Sequence, residues 1–467
     1  MGARGPTKPI IHVEGENVPS SSRSVSEGIR SSDAAAGADF LPAAELRQVQ
    51  LDRLRRTVGL AYDKVPLYRK RLQEAAVSPD DVRTLDDLAR LPFLTKEDLQ
   101  EAYPFGLFAA AMGEVIRLHA SSGTTGKQVL VPYTRDDLET WTRAMTRSLA
   151  MFGVGPADVI QNAYGYGLFT GGLGVHYAAE AMGATVIPVS GGNADRQIRV
   201  MRDFGTTVLC CTPSFFLQLA DRAQELGVDL RRLGVRLGVF GAEPWSEPMR
   251  NRIQEGTGIE AFDLYGLAEI VGPGVAGECP VHQGLHVLED LFLPEVIDPA
   301  SGRPLPDGEE GELVLTTLSK QAMPMLRYRT GDVTAICPGP CPCGRTLRRI
   351  GRISHRSDDL FVVRGVNVYP SQIESALLAV KGTLPHYQIV LTEEGGQERA
   401  EVQVEVGPEM FSDRIGVLAE LEEKLTRKVA QAVGVHLGVR LVEPRTLARS
   451  EGKARRVLDQ RHKVDSP

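Results

Sequence analysis

The sequence predicts an α/β protein with a large N-terminal domain, built on parallel βαβ sheets and a β-rich subdomain, and a small, mobile α+β C-terminal domain. A length of 467 residues corresponds to about two to four domains. Between residues 158 and 265, short β-branched runs alternate with helical segments, an order that requires parallel strands covered by helices. After residue 356 the order of elements changes, and about 110 residues remain, enough for a unit that moves as a whole.

The composition excludes several classes of protein. Hydrophobic residues make up 42% of the chain and charged residues 24%, which excludes a wholly disordered chain and a membrane bundle. A formal net charge of −7 provides no global basic field for nucleic acid or anionic lipid. We find no pattern typical of a secretion signal or a membrane span, and six cysteines are too few for a disulfide scaffold. We therefore expect a soluble, cytoplasmic protein that binds neither nucleic acid nor membranes.

The N-terminal residues 1–44 are expected to form a disordered tail. Seven serines lie between Ser20 and Ser32, and a run of small residues follows without a periodic apolar face. Helical periodicity begins near Leu46 and Leu51, and Leu54, Val58 and Tyr62 continue one stripe at a spacing of three to four residues.

Short β-branched runs define the parallel sheet predicted between residues 158 and 265. They begin at Val159, Thr185, Thr207, Val235 and Ile259. A glycine follows each intervening helical segment, and glycine is favoured at left-handed helix ends because it has no Cβ. The predicted helix stops are Gly183, Gly205, Gly227 and Gly256. Ligands of such sheets bind beyond the carboxyl ends of the strands.

Two further regions complete the predicted domains. From about residue 284 to residue 353, alternating strands with Pro/Gly turns predict a β-rich subdomain, which completes a large domain over residues 45–355. Residues 356–467 form the small domain. Its predicted strands begin at Leu360, Tyr387, Glu401 and Val439, and its helices at Pro370 and about Ile415.

A polar loop precedes an apolar strand in the segment HASSGTTGKQVLVPY, which begins at His119. Backbone N–H groups and hydroxyls in such a loop bind anions, and the lysine adds a positive charge, so the loop suits a nucleotide phosphate. The glycine spacing excludes a Walker loop, and a simple flexible loop is the alternative interpretation. The candidate phosphate ligands are Ser121, Ser122, Gly123, Thr124, Thr125, Gly126 and Lys127.

Three other patterns place polar residues where a nucleotide could bind. The segment DLYGLAE follows a predicted strand, so its aromatic ring could stack on a base and Glu269 could bind Mg²⁺. In the segment YRTGD, Asp332 could accept hydrogen bonds from both ribose hydroxyls, and Lys453 lies in the polar segment RSEGKARR. The alternatives are a core-edge tyrosine with a helix-start charge, an ordinary hairpin turn and a solvated basic tail.

Taken in order and spacing, these patterns resemble the adenylate-forming superfamily of acyl-CoA synthetases, adenylation domains and luciferases. Within it, the segments NAYGYGLFTGGLG, FGAEPW, YGLAEIVGPGVAGEC and VRGVNVYPSQIE resemble the phenylacetate–CoA ligase family. The resemblance extends from about residue 45 to residue 460.

The resemblance implies two half-reactions that use ATP, Mg²⁺ and coenzyme A. A carboxylate attacks the α-phosphorus of ATP to give an acyl-adenylate and pyrophosphate, and the coenzyme A thiolate then displaces AMP. The loop over residues 121–127 would wrap the β- and γ-phosphates. The implied catalytic residues are Glu269, as the Mg²⁺ ligand, and Lys453, which would bridge the carboxylate and the α-phosphate.

The other nucleotide-binding residues implied by the resemblance fall into three groups. The adenine slot would be lined by Gly241, Ala242, Glu243 and Pro244. The segment with a tyrosine stacked on the base would supply Asp263, Tyr265, Gly266 and Leu267. The ribose would be bound by Asp332, Arg352 and Arg356.

The resemblance also implies a hinge and an acid pocket. The small domain would rotate about Asp358, although His355 stands where the family motif usually begins with glycine, and Ala268 stands where related ligases usually have serine. Aromatic side chains would line a slot that suits a flat aryl acid better than a long acyl chain, with plain core packing as the alternative interpretation. These side chains are Tyr164, Tyr166 and Phe169.

Cysteine and histidine residues from two distant loops suggest a structural Zn²⁺ site. Matching a zinc-bearing branch of the ligase family gives four ligands, Cys279, His286, Cys341 and Cys343. A Cys-x-Cys pair that is only a loop feature is the alternative interpretation.

We therefore hypothesise an ATP-dependent aryl-acid CoA ligase whose small-molecule partner is an aryl carboxylic acid. The alternative hypothesis keeps the adenylation but passes the adenylate to an amine or to a carrier-protein phosphopantetheine. A non-catalytic nucleotide-binding module is disfavoured because Glu269 and Lys453 are both retained. The resemblance also favours a homodimer.

Overall fold

The computed structural model describes residues 37–121, 128–357, 359–363, 365–380, 383–394, 397–407, 415–448 and 456–461. Within these ranges the predicted α/β class is confirmed, with a mixed sheet in the large domain and a separate α+β unit at the C-terminal end. A search of the described helices finds none with the length and apolar character needed to cross a membrane.

The large domain begins with helices and a hairpin and then alternates strands with helices. The first elements are α1 (Ala43–Lys64), α2 (Pro66–Glu74), α3 (Lys96–Glu101), β1 (Arg117–Ser121) and β2 (Val129–Tyr133). The alternating part comprises α4 (Arg135–Met151), β3 (Val159–Asn162), α5 (Gly171–Ala181), β4 (Thr185–Ile187), α6 (Ala194–Phe204), β5 (Val208–Cys211), α7 (Pro213–Glu225), β6 (Leu237–Gly241), α8 (Glu247–Thr257) and β7 (Glu260–Leu267).

Strands dominate the remainder of the large domain, and the small domain mixes strands with two helices. The remaining strands of the large domain are β8 (Gly272–Glu278), β9 (Leu285–Val287), β10 (Phe292–Ile297), β11 (Gly311–Thr317), β12 (Tyr328–Thr334), β13 (Ile336–Cys337), β14 (Arg349–Ile350) and β15 (His355–Arg356). The elements of the small domain are β16 (Phe361–Val363), β17 (Val366–Val368), α9 (Pro370–Leu378), β18 (Thr383–Glu394), β19 (Gln397–Val406), α10 (Ile415–Val433), β20 (Gly438–Val442) and β21 (Val457–Asp459).

The central sheet has nine strands in the order β13-β14-β9-β8-β7-β6-β5-β3-β4. The five strands from β7 to β4 are parallel, as the βαβ order predicts, whereas β8, β9, β14 and β13 continue the sheet in antiparallel pairing. A second sheet of the order β10-β11-β12-β15 is antiparallel and pairs Asp332 with Arg356. The carboxyl ends of β6 and β7 therefore lie at one edge of the parallel sheet, where ligands of such sheets bind.

Three of the four predicted helix stops are confirmed. Gly183, Gly205 and Gly227 follow α5, α6 and α7 with φ values of 79°, 66° and 67°, the left-handed region that favours glycine. The fourth prediction is wrong, because Gly256 lies inside α8, which continues to Thr257. The left-handed residue is Gly258, with φ 74°, two positions later.

The predicted apolar stripe of α1 is confirmed, since Leu46, Leu54 and Val58 are buried in the core of the large domain. The small domain has a core of its own, in which Val402 and Val404 of β19 and Leu425 of α10 are fully buried. Its sheet has the order β20-β19-β18-β21. The predicted strands and helices of this domain are present, whereas β17 and β21, each of three residues, were too short to carry a pattern.

Residues 37–44, which the sequence analysis assigned to the tail, are part of the fold. Asp39 is fully buried in a 3-10 turn, and its carboxylate oxygens accept hydrogen bonds from Arg147 at 2.6 Å and Arg345 at 3.2 Å. Its carbonyl oxygen accepts a hydrogen bond from the backbone N–H of Thr346 at 2.9 Å. The local sequence could not predict the burial of Asp39, because both arginines lie more than a hundred residues away in the sequence.

We predict that Asp39→Ala lowers the free energy of unfolding by about 3 kcal/mol, because it leaves two buried guanidinium groups short of a partner. The measurement is urea unfolding followed by fluorescence. Asp203→Ala is the matched control, since Asp203 pairs with Arg202 at a site where both side chains are about half exposed, and it should cost less than about 1 kcal/mol. Equal effects of the two substitutions would contradict the buried pairing.

Candidate nucleotide and metal sites

A pocket lies beyond the carboxyl end of β6, where the nine-stranded sheet meets the four-stranded sheet. It encloses about 580 Å³ of empty space, part of it open to solvent. The residues implied for the adenine, the stacked base and the ribose all line this one pocket, although they come from four separate parts of the chain. They are Gly241, Ala242, Glu243, Pro244, Asp263, Tyr265, Gly266, Leu267, Asp332, Arg352 and Arg356.

Four residues that the sequence analysis did not name complete the lining. They are Trp245, Leu264, Leu285 and Ile353. Trp245 directly follows Pro244, so the aromatic at the end of the FGAEPW segment was a signal that could have identified it. Leu285 lies between Gly284 and His286, and Ile353 between Arg352 and Ser354, so neither carries a local signal.

The Asp332 carboxylate is a buried and tightly held polar group of the pocket. It is 4% exposed, accepts a hydrogen bond from the Tyr265 hydroxyl at 2.6 Å, and pairs with the Arg356 guanidinium at 2.6 Å. Burial, together with the neighbouring Asp332 carboxylate, raises the pKa of Tyr265 far above its usual value. Tyr265 is therefore a neutral donor that holds Asp332, and its ring forms part of the wall beside the predicted adenine slot.

A second acidic group, Asp263, also lines the pocket. Burial raises the pKa of Asp263 to about 6, against the opposing effect of the Arg352 guanidinium, whose Nε lies 3.8 Å from the carboxylate. Arg352 also covers the Trp245 ring at 4.5 Å and donates a hydrogen bond to the Trp245 carbonyl at 3.1 Å. These contacts hold Arg352 and the indole as one packed wall.

Backbone packing explains the glycines of the pocket. A Cβ on Gly241 would lie 2.3 Å from the carbonyl oxygen of Leu264, and a Cβ on Gly266 would lie 2.1 Å from that of Gly272. Neighbouring strands therefore require glycine at both positions. Ala242 has a left-handed φ of 69°, which turns the chain at the end of β6 into the pocket.

Glu269 lies in a turn after β7 and is 8% exposed. Within the described ranges, no residue donates a hydrogen bond to its carboxylate or forms an ion pair with it. Its carbonyl oxygen accepts a hydrogen bond from Lys320 at 2.7 Å. A buried carboxylate without a protein partner fits a Mg²⁺ ligand, because Mg²⁺ is usually held by one or two carboxylates and by substrate phosphates.

Three parts of the predicted site lie outside the described residues. They are the phosphate-loop positions 122–127, the hinge residue Asp358 and the catalytic candidate Lys453. The ends of the phosphate loop are described, since Ser121 of β1 pairs with Val129 of β2. The roles assigned to all of these residues stay predictions.

The residues predicted for the acid pocket lie around the N-terminus of α5. Tyr164 is buried and donates a hydrogen bond to the Val239 carbonyl at 3.4 Å, whereas the Tyr166 hydroxyl accepts one from Asn162 at 2.7 Å. Phe169 is 47% exposed. An aromatic slot formed by Tyr164, Tyr166 and Phe169 stays a prediction.

The four predicted zinc ligands lie together. The ligand atoms of Cys279, His286, Cys341 and Cys343 are all within 4.8 Å of one another. The Sγ atoms of Cys279 and Cys341 are 3.6 Å apart, and Cys343 Sγ is 3.4 Å from His286 Nε2. A tetrahedral zinc site with bonds of about 2.0–2.3 Å places its ligand atoms about 3.4–3.8 Å apart, so this donor set fits Zn²⁺.

Two further features of the cysteine and histidine cluster suit a metal. His286 Nδ1 lies 3.2 Å from the Leu347 carbonyl, a hydrogen bond that leaves Nε2 facing the thiols. A hydrogen bond from Cys279, and to a smaller extent one from His286, holds the pKa of the Cys343 thiol far below its usual range, although burial opposes them. The remaining cysteine of this region, Cys337, lies outside the cluster.

Polar contacts join the small domain to α7 and α8 of the large domain. His386 Nε2 lies 2.8 Å from the Asp221 carboxylate, and Arg252 donates a hydrogen bond to the Thr383 carbonyl at 2.7 Å. Arg445 pairs with Glu225, which lies one helical turn from Asp221 on α7. One face of α7 therefore receives an imidazole and a guanidinium from the small domain.

Both parts of the chain match known family models. Residues 37–323 match the AMP-binding enzyme model, and residues 365–461 match the AMP-binding enzyme C-terminal domain. A phenylacetate-coenzyme A ligase of Thermus thermophilus is 50% identical over 91% of this chain and 98% of its own length. Proteins of the same name from Pseudomonas putida and Escherichia coli are 48% and 46% identical, over 89% and 90% of this chain and 94% and 96% of their own lengths.

Solved structures of a 2-hydroxyisobutyryl-CoA ligase share the fold. In its post-adenylation state that enzyme superposes with a TM-score of 0.85 at 29% identity, covering 91% of both chains. In its thioesterification state the TM-score is 0.67 at 30% identity, covering 91% of this chain and 92% of the other. The two domains of the present chain are therefore arranged more like the post-adenylation state. From the family models and these relatives, the chain belongs to the phenylacetate–CoA ligase family of AMP-binding enzymes.

Proposed function

We propose that the protein is an ATP-dependent ligase that joins an aryl carboxylic acid of the phenylacetate type to coenzyme A, releasing AMP and pyrophosphate. The observation that carries the proposal is the single pocket that gathers the adenine and ribose residues of the family from four parts of the chain. Coenzyme A is the proposed acceptor, and transfer to a carrier protein or an amine is not favoured, because the relatives that match along nearly the whole chain are named as coenzyme A ligases.

In the first half-reaction, a carboxylate oxygen of the acid attacks the α-phosphorus of ATP, and the bond to pyrophosphate breaks. Asp332, held by its contacts with Tyr265 and Arg356, would accept hydrogen bonds from the ribose hydroxyls. Gly241 and Ala242 would present backbone groups to the adenine. These residues orient the nucleotide, and orientation of reacting groups supplies much of the rate of such a displacement.

Charge on the triphosphate must be neutralised during this displacement. The loop over residues 121–127 and the Lys127 ammonium would bind the β- and γ-phosphates, and Glu269 would hold Mg²⁺ against them. When bound, Mg²⁺ stabilises negative charge on the leaving pyrophosphate. Lys453 would bridge the acid carboxylate and the α-phosphate.

In the second half-reaction, the coenzyme A thiolate attacks the carbonyl carbon of the acyl-adenylate, and AMP leaves with the C–O electron pair. Lys453 must first leave the site, which a rotation of the small domain about Asp358 would achieve. The contacts of His386 and Arg445 with α7 would break in that rotation, because they join the two domains in the present arrangement.

The substrate class is tested by ATP–pyrophosphate exchange over a panel of benzoate, phenylacetate, hydroxyphenylacetate and decanoate. We expect an aromatic acid to exceed decanoate by at least about tenfold in kcat/KM, because differences in pocket contacts of a few kcal/mol produce ratios of that size or larger. AMP release with and without coenzyme A identifies the acceptor. Equal turnover of decanoate and phenylacetate would contradict the assignment of an aryl acid as the substrate. A rate of AMP release that does not change when coenzyme A is added would contradict the assignment of coenzyme A as the acceptor.

The role of Lys453 is tested by measuring the half-reactions separately. Lys453→Ala should abolish ATP–pyrophosphate exchange but spare thioester formation from a supplied acyl-adenylate, because only the first step needs a cation between the carboxylate and the α-phosphate. Lys424→Ala, at an exposed lysine of α10 in the same domain, is the control and should leave both rates unchanged. Equal loss of both half-reactions in Lys453→Ala would show that the assignment is wrong.

We also propose that Cys279, His286, Cys341 and Cys343 hold one structural Zn²⁺. All four positions would be filled by protein ligands, which is typical of a structural rather than a catalytic zinc. The ion would tie the loop after β8 to the turn after β13, at the antiparallel end of the nine-stranded sheet.

Metal analysis of the purified protein should therefore find about one zinc per chain. Cys343→Ser should lower both the zinc content and Tm, since it removes a ligand and part of the binding free energy that stabilises the fold. Cys337→Ser is the matched control, because this thiol lies in the same turn outside the cluster, and it should retain the metal. Absence of zinc from the wild-type protein would remove the site.

A further inference from the structure

A buried lysine, Lys320, contacts the turn that carries Glu269. Lys320 is 6% exposed, and its Nζ donates a hydrogen bond to the carbonyl oxygen of Glu269 at 2.7 Å. The same ammonium lies 5.3 Å from the centre of the Tyr133 ring. Lysine is almost never buried without a partner. Lys320 lies outside each of the motifs that the family resemblance identified.

The carboxylates of Asp137 and Glu269 are both close enough to Lys320 to interact electrostatically with its ammonium. Asp137 is occupied by other donors, since it accepts hydrogen bonds from the backbone N–H groups of Thr134 at 2.9 Å, Gln321 at 2.6 Å and Ala322 at 3.0 Å. These bonds fasten the segment containing Lys320 to the first turn of α4. The Lys320 ammonium therefore approaches Glu269 from a fixed support.

The Glu269 turn has a second anchor on its other side. The Tyr133 hydroxyl donates a hydrogen bond to the Val271 carbonyl at 3.0 Å. Tyr133 is the last residue of β2, the strand that begins directly after the predicted phosphate loop. Lys320 and Tyr133 together thus fix the Glu269 turn relative to the strand that leaves this loop.

We propose that Lys320 is a positioning residue for the metal-bound triphosphate, which holds the Glu269 turn through its carbonyl and places a buried positive charge beside the Glu269 carboxylate. Mg²⁺ requires nearly ideal octahedral geometry, so a shift of the turn would weaken its coordination. Lys320 contacts the backbone of the turn that carries the proposed metal ligand Glu269, and it does not contact the reacting atoms. Its assigned role rests on the proposed binding of Mg²⁺ by Glu269.

The test is the ratio of the ATP affinity in Mg²⁺ to the ATP affinity in EDTA, both measured by calorimetry. This ratio isolates the metal-dependent part of binding, and AMP affinity reports the pocket alone. Lys320→Met should lower the ratio and the kcat of ATP–pyrophosphate exchange by about tenfold to a hundredfold, as removal of groups that orient metal ligands usually does, with AMP affinity unchanged. Lys320→Arg, which keeps the charge and the donor, should recover most of the loss.

Gln321→Ala is the matched control, because its side chain makes an exposed contact with Asp136 on the same segment, and it should match the wild type. Lys320→Leu provides a second test should the methionine variant fail to fold, since it also removes both the donor and the charge. A folded methionine or leucine variant with the wild-type ratio overturns the proposal, as does equal loss of AMP and MgATP affinity.

The Glu269→Gln variant distinguishes a failure of the role proposed for Lys320 from a failure of the proposed Mg²⁺ binding by Glu269. If the ratio falls in Glu269→Gln and stays at the wild-type value in the Lys320 variants, the role of Lys320 is wrong and the proposed function stands. If the ratio is unchanged in Glu269→Gln, the Mg²⁺ assignment of Glu269 fails, and the role of Lys320 fails with it.

Discussion

The pocket depends on one buried carboxylate, that of Asp332. This group accepts hydrogen bonds from Tyr265 of β7 and Arg356 of β15, so it joins the nine-stranded sheet to the four-stranded sheet. A buried charge costs several kcal/mol unless its partners offset the lost hydration. Both partners also line the pocket. The contacts that offset the lost hydration of Asp332 therefore also shape the proposed nucleotide site.

Close backbone packing is the second constraint on the site. Gly241 at the end of β6 lies against the Leu264 carbonyl of β7, and Gly266 lies against the Gly272 carbonyl at the start of β8. Any side chain at these positions would separate strands whose ends form the floor of the pocket. Glycine in this chain thus serves packing between strands as well as helix ends.

Neighbouring residues of β9 connect the proposed zinc site with the nucleotide pocket. Leu285 lines the pocket, whereas His286 contributes to the cysteine cluster. Successive residues of a strand point to opposite faces, so one short strand serves both sites. A metal that ties the loop after β8 to the turn after β13 would hold this strand in place. Metal binding by the cysteine and histidine cluster would therefore affect the shape of the pocket through the backbone of β9.

The sequence by itself determined the parallel βα order, three of the four helix ends, the longer elements of the small domain and most of the residues that line the pocket, the last through motifs. These signals are local: a period, a glycine or a short segment of fixed spacing. Tertiary structure alone decided the burial of Asp39, the placement of Leu285 and Ile353 in the pocket and the position of Lys320 beneath Glu269. Each of these depends on a contact between residues far apart in the chain, and no periodicity or spacing encodes such a contact, because packing of separate elements creates it.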